Sequence, residues 1–337
     1  MKAWLAAAAI GLSSPVWAQK ASPPTPLFAS DAPIQVTIHG PISTLASKRP
    51  GTPQAATITY AGVTYPITLA PRGITRLRKD VCQFPPLRVD FTQPPPAGSL
   101  FDHQGRLKLV THCRSGSDFQ QKVLLEYSAY RLYNLLTPLS FRARLANIDY
   151  VDSTGKPIVS RTGFFIEDID DVARRNGMVK VHTADRIPLS MLDSRAAARF
   201  AVFSYMIGNL DWSMRAGPAG EACCHNARLI GPSQSAARLL SIPYDFDFSG
   251  LVDAPYAEVP DGIGVTSVRQ RAYRGYCAFN ADASAVASEM SRRRAEFTGL
   301  FGTVPGMDER TRNRATAYIT GFFGDIDSGK IFKTCVS

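Results

Sequence analysis

Three carboxylates and an asparagine fall within one short, otherwise apolar stretch: Asp211, Asn226, Asp245 and Asp247. The stretch runs from an apolar segment near Phe200 through Gly208-Asn209-Leu210-Asp211-Trp212 and a Gly/Cys-rich loop to Cys224-His225-Asn226. It ends in Ile242-Pro243-Tyr244-Asp245-Phe246-Asp247-Phe248-Ser249-Gly250. Ionised carboxylates among Trp, Tyr, Phe and Ile are costly to bury unless they are paired, hydrogen-bonded or metal-bound. A divalent cation is the simplest partner, because hard cations take oxygen ligands from Asp and Asn. On a strand, Asp245 and Asp247 would project to one face, where like charges repel unless a cation sits between them. The same pattern also reads as an acidic turn paired to an arginine.

An Asp leaving a helix, followed by an Asn in the next segment, is how kinase-like catalytic loops supply a base and a metal ligand. Asp211 is therefore the candidate catalytic residue, and Asn226, Asp245 and Asp247 are the candidate metal ligands. Asp247-Phe248-Ser249-Gly250 is similar to the Asp-Phe-Gly element, whose Asp holds magnesium and whose Gly lets the chain turn. A basic counterpart lies upstream in Pro71-Arg72-Gly73-Ile74-Thr75-Arg76-Leu77-Arg78-Lys79. There Arg72, Gly73 and Arg76 are candidate phosphate contacts through backbone N–H groups and guanidinium forks. Lys108 faces away from the apolar side of its strand, and Glu126 sits inside an apolar helix. Paired, they would be the kinase arrangement for holding α- and β-phosphates; unpaired, they are a snorkelling Lys and an exposed Glu. Gly163–Asp170 is an apolar strand entering a run of acids. It reads as a hinge facing an adenine ring, with Glu167 a cofactor contact, or as a helix start with favourable acids.

Other chemistries lack their motifs. There is no G-x-S-x-G and no H-E-x-x-H, and the five His residues show no metal-ligand spacing. His225 alone lies near the carboxylates, as an orienting residue rather than a base. A glycosidase carboxylate pair fits less well than phosphate beside Asn226 and the basic hairpin. The formal charge of +10 fits an anionic ligand, although surface Arg explains it equally. No recognition helix or RNA-binding signature is present, so no nucleic-acid partner is expected.

The elements that must position these residues change character along the chain. Residues 1–18 read as a signal peptide cleaved after about Ala18, and no later run is apolar enough to cross a membrane. The expected location is periplasmic or secreted. Residues 19–33 read as a flexible leader. Alternating runs at Ile34–Ile38, Ala56–Tyr60, Val63–Leu69, Leu87–Phe91 and Leu107–Val110 predict antiparallel strands, with a hairpin turn at Ala61-Gly62. A helix is expected to about Leu136 after Ser117-Asp118, then strands at Phe141–Val151 and Gly163–Ile166. A long helix should open at Ser190 or Asp193 and end near Asn209, with two more at about Ala281–Leu300 and Asp308–Phe323. Residues 34–170 would form a β-rich N-lobe with one long helix, and 171–337 a helical C-lobe carrying the acidic site. Six cysteines in an exported chain favour disulfides. Cys82 with Cys113 is the expected bridge, and Cys223 and Cys224 should go to different partners, among them Cys277 and Cys335.

Arg72-Gly73-Ile74-Thr75-Arg76, Gly163–Asp170, Ile207-Gly208-Asn209-Leu210-Asp211, His225-Asn226 and Ile242-Pro243-Tyr244-Asp245-Phe246-Asp247 agree in order and approximate spacing with one family. Over roughly Arg72 to Gly250 the chain resembles the spore-coat CotH-type atypical kinases, with the last block the most specific. The resemblance implies an α+β, bilobal protein-kinase-like fold that transfers phosphate from ATP with Mg or Mn in an interlobe cleft. It also implies Asp211 as catalytic Asp, Asn226 as a metal or phosphate contact, and Asp247 as the magnesium ligand beside Asp245. The expected partner is a nucleotide or phosphorylated ligand, with a protein as a possible acceptor. Two rival expectations use the same residues: an inactive binding module with a structural cation, and a metal-dependent phosphoester hydrolase using an activated water.

Overall fold

The computed structural model describes residues 21–337, so the expected signal peptide and its cleavage site lie outside the described residues. The alternating runs form strands β1 (Ile34–Gly40), β2 (Gln54–Tyr60), β3 (Val63–Pro71), β4 (Leu87–Phe91) and β5 (Arg106–Val110). Two longer strands, β6 (Ala143–Asp152) and β7 (Pro157–Ile166), follow. Ala61 and Gly62 both take positive φ, 47° and 80°, as a two-residue hairpin whose twist matches its strands requires.

These seven strands close into a barrel in the order β1-β2-β3-β4-β5-β7-β6. Closure comes from a parallel pair: β1 runs beside β6 from Ile34 opposite Ala146 to Gly40 opposite Asp152. The expected bilobal protein-kinase-like fold, a β-rich N-lobe beneath a mainly helical C-lobe, is therefore corrected to one built around a closed, mixed seven-stranded barrel. Alternation identifies a strand's buried face but not its partner, and the closing strands lie far apart in sequence. Closure leaves no exposed sheet edge. The barrel is filled by Val36, Ile38, Ile67, Leu87, Phe101, Leu109, Ile148 and Phe165, and by Leu27 and Phe28 from the Pro-rich segment before β1.

A second core joins α2 (Ser117–Leu136) to α4 (Ser194–Ile207), α5 (Asn280–Arg292), α6 (Arg294–Gly299) and α7 (Glu309–Asp327). Two short helices, α1 (Ile42–Ser47) and α3 (Ile169–Arg175), complete the set. The helix expected over Ala281–Leu300 is divided at Arg293. A three-stranded sheet, β8 (Val179–Lys180), β9 (Ala227–Gly231) and β10 (Leu240–Pro243), pairs in the order β10-β9-β8.

Cys82 is bonded to Cys113 as expected. The adjacent Cys223 and Cys224 are bonded to each other rather than to distant partners. The reason lies in the tail: Tyr276 bridges Val336, which sets Cys277 against Cys335. Three disulfides suit an oxidising compartment. Among the described residues no helix is long and apolar enough to cross a membrane.

Candidate functional site

Asp211 owes its place to the end of α4. Asp193 caps the helix start by accepting from Ala196 N at 2.8 Å. Gly208 ends it in the left-handed region at φ 63°, where a Cβ would strike the Tyr318 hydroxyl, so only glycine fits. Asn209 Oδ1 accepts from Asp211 N at 3.1 Å, and Trp212 Nε1 donates to Asn209 O at 3.0 Å. Two further groups grip the Asp211 carboxylate. His225 Nε2 lies 2.6 Å from Oδ1, and Asn226 Nδ2 donates to Oδ2 at 2.9 Å and to the Asp211 carbonyl at 2.8 Å. A carboxylate only accepts, so His225 Nε2 carries the proton; the hydrogen bond to Asp211 raises the His225 pKa above its ordinary value. Asn226 thus orients the Asp211 carboxylate through its Nδ2.

Asp245 and Asp247 line the same cavity, and they gather with Glu126, which is buried outside its lining. Glu126, Asp245 and Asp247 each offer an oxygen within 4.8 Å of the others. Asp245 and Asp247 do not lie on a strand, because β10 ends at Pro243 and Asp245 takes φ 65°. They face one point because Asp245 N donates to Tyr130 Oη at 3.0 Å and Tyr256 Oη donates to Asp247 Oδ2 at 3.1 Å. Tyr130 and Glu126 belong to α2, so one helix supplies both a ligand and an anchor. Nothing about Tyr256 in the sequence marks it as part of this group.

Arg76 sits among the three acids. Its guanidinium lies 3.3 Å from Glu126, 3.4 Å from Asp245 and 3.2 Å from Asp247. The loop that delivers it is fastened by Cys82–Cys113 and by Arg49, which donates to the carbonyls of Leu77 and Cys82. Burial pushes the Glu126 carboxyl up, opposed by Arg76 and reinforced by Asp247; Asp247 is likewise raised by burial against Arg76. The expected Lys108–Glu126 pair is replaced by Arg76–Glu126, because the β3–β4 loop reaches α2 first. Lys108 instead places Nζ 4.2 Å from the centre of the Tyr244 ring.

The cavity, about 610 Å³, is lined by Arg72, Gly73, Arg76, Asp211, Asn226, Asp245 and Asp247 among others. Gly73 takes φ 99° at its lip. Glu167 is not in the lining. It is buried against Arg175, whose Nε lies 2.9 Å from Oε1, and it accepts from Arg142 N at 2.9 Å; this is a structural ion pair, not a cofactor contact.

The residues present fit a divalent cation. Glu126 Oε1 is buried without a hydrogen-bond partner among the described residues, a costly arrangement that a ligand would relieve. Three carboxylates against one guanidinium also leave negative charge uncompensated. The chain matches no model of a known protein family and no curated protein.

Proposed function

We propose that this cavity binds a divalent cation with a phosphorylated ligand and transfers a phosphoryl group to a hydroxyl acceptor outside the cytoplasm. The observation that carries the reading is Glu126 Oε1, buried and unpartnered inside a carboxylate triad whose other two members, Asp245 and Asp247, line the cavity with Asp211. Glu126, Asp245 and Asp247 would hold Mg or Mn, which when bound would neutralise charge on the transferring phosphoryl oxygens. Asp211 is aimed by His225 and Asn226 and has room to accept the acceptor's hydroxyl proton. As that proton moves, the acceptor oxygen bonds to phosphorus and the anhydride P–O bond breaks, its electron pair leaving on the bridging oxygen. Resemblance to the CotH-type kinases implies ATP as donor, and its three blocks supply Asp211, Asn226, Asp245 and Asp247. A protein hydroxyl is one acceptor of suitable chemistry.

One observation favours a second reading. Arg76 already provides the triad with a cation, as a non-catalytic binding module with an internal counter-ion would. The two separate in a single variant. In Asp211→Asn, Mn²⁺ should still raise the melting temperature while phosphoryl transfer, followed as ³¹P turnover, falls by about 10²–10⁴-fold. Wild-type protein that binds Mn²⁺ and ATP without any turnover would leave the binding module standing; phosphate release without an acceptor would point to hydrolysis.

A further inference from the structure

The cavity has a second pole. Arg228 and Tyr244 line it, and Lys108, itself outside the lining, lies over the same Tyr244 ring, the two cations at 4.7 Å and 4.2 Å from its centre. Arg72 lines the same cavity, with Arg228, where β3 gives way to the loop. Among the described residues none of the three forms an ion pair with a carboxylate; Arg228 donates only to the Ala227 carbonyl. Burial first, then Arg72 and Arg228, pushes Lys108 down to about 7, against a smaller upward pull from Asp245 and Asp168. The same lining also includes Lys180 and His182. Convergent, half-buried cations without counter-ions repel one another, and an anion removes both the repulsion and the desolvation cost.

We propose that Arg72, Lys108 and Arg228 form an anion subsite for the non-transferred end of a linear inorganic polyphosphate, the donor class this cavity takes. A nucleotide carries its charge at one end and would lay an uncharged base and ribose against Lys180 and His182. Lys108 and Arg228 already pack over the Tyr244 ring, so a base would have to compete with them to stack there. A phosphate chain instead keeps its charge along its whole length and would offer it to each basic residue of the lining. The donor assignment rests on the phosphotransferase reading, whereas the subsite stands without it.

The test uses the full oxidised chain with tripolyphosphate, ATP or orthophosphate, each with and without Mn²⁺, in calorimetric titration and thermal melts. Tripolyphosphate should bind at least about tenfold tighter than orthophosphate and no more weakly than ATP. Lys108→Met should cut tripolyphosphate affinity by about tenfold or more and leave the Mn²⁺ shift in place. It should also raise the ligand-free melting temperature, since it removes a repelled charge; that gain shows the variant folds. ATP binding tenfold tighter than tripolyphosphate would overturn the donor class, and unchanged tripolyphosphate affinity in Lys108→Met would overturn the subsite. Tripolyphosphate binding without any Mn²⁺ response supports the subsite and sinks the phosphotransferase reading. Mn²⁺ binding without any affinity for tripolyphosphate does the reverse.

Discussion

Replacing Arg76 with Gln tests how the acidic triad is held. The Arg76 side chain is 8% exposed, Glu126 3%, Asp247 8% and Asp245 30%, so most of this charge sits out of water. Removing one partner of a buried ion pair costs about 3–5 kcal/mol, because the remaining charge stays buried and unpaired. For the 317 described residues (337 less the first 20), that corresponds to a fall of about 5–8 °C in melting temperature. Gln keeps similar reach, so the loss reports charge more than volume. The decisive arm adds Mn²⁺. A ligand at about 100 times its Kd stabilises by about 2.7 kcal/mol, or about 4 °C here, and in Arg76→Gln it need not displace a guanidinium. Near-ultraviolet circular dichroism melts, with EDTA or with Mn²⁺, should show a larger Mn²⁺ shift in the variant than in wild type. An unaltered melting temperature in EDTA, or an Mn²⁺ shift no larger than wild type's, would refute the reasoning.

Glu167→Gln leaves Arg175 buried and unpaired and should cost about 3 kcal/mol, yet Mn²⁺ and phosphate affinities should be unchanged because Glu167 belongs neither to the cavity lining nor to the carboxylate triad; titration of the folded variant checks this. His112 lies under Phe84, ring centres 4.8 Å apart, with Nδ1 buried and unpartnered, and burial, then Arg161, pushes its pKa from 6.5 down to about 4. The folded pKa is the lower one, so the unfolded chain takes the proton first. The stability His112 contributes is intact above pH 6.5 and falls by about 3 kcal/mol as pH drops toward 4. Denaturation of His112→Phe across that window should show a flatter acid limb.

Much of the secondary structure was legible because period-two runs and caps are local. Ile34–Ile38, the Ala61-Gly62 turn and the Asp193 and Asp308 caps all announce themselves within a few residues. The barrel was not legible, because its closing pair joins β1 to β6 and no alternation encodes a partner so far along the chain. In the site, Asp211 and the Asp245/Asp247 pair stood out as carboxylates among apolar neighbours. The identity of their companions did not. Glu126 and Lys108 looked like a pair on spacing, yet the β3–β4 loop carries Arg76 onto Glu126 first. Asn226 reads as a metal ligand, and in the structure its Nδ2 donates to Asp211. The acidic-turn-with-arginine alternative described the resting pairing, and the basic hairpin supplied that arginine.

The resting pairing also explains why the site's parts come from opposite ends of the fold. Arg76 enters from a barrel loop, Glu126 and Tyr130 from α2, and Asp245 and Asp247 from the turn after β10. Gly250 N donates to Gly208 O at 3.0 Å, so the turn bearing Asp247 is tied to the helix end that bears Asp211. Tyr244 N donates to Asn226 O at 3.1 Å, which ties Asp245 to the segment that orients Asp211. Asp211 and the triad are therefore coupled through two backbone bonds, while the loop bearing Arg76 is held by the separate Cys82–Cys113 staple. The loop that carries Arg76 is thus fastened independently of the segments that carry Asp211, Asp245 and Asp247.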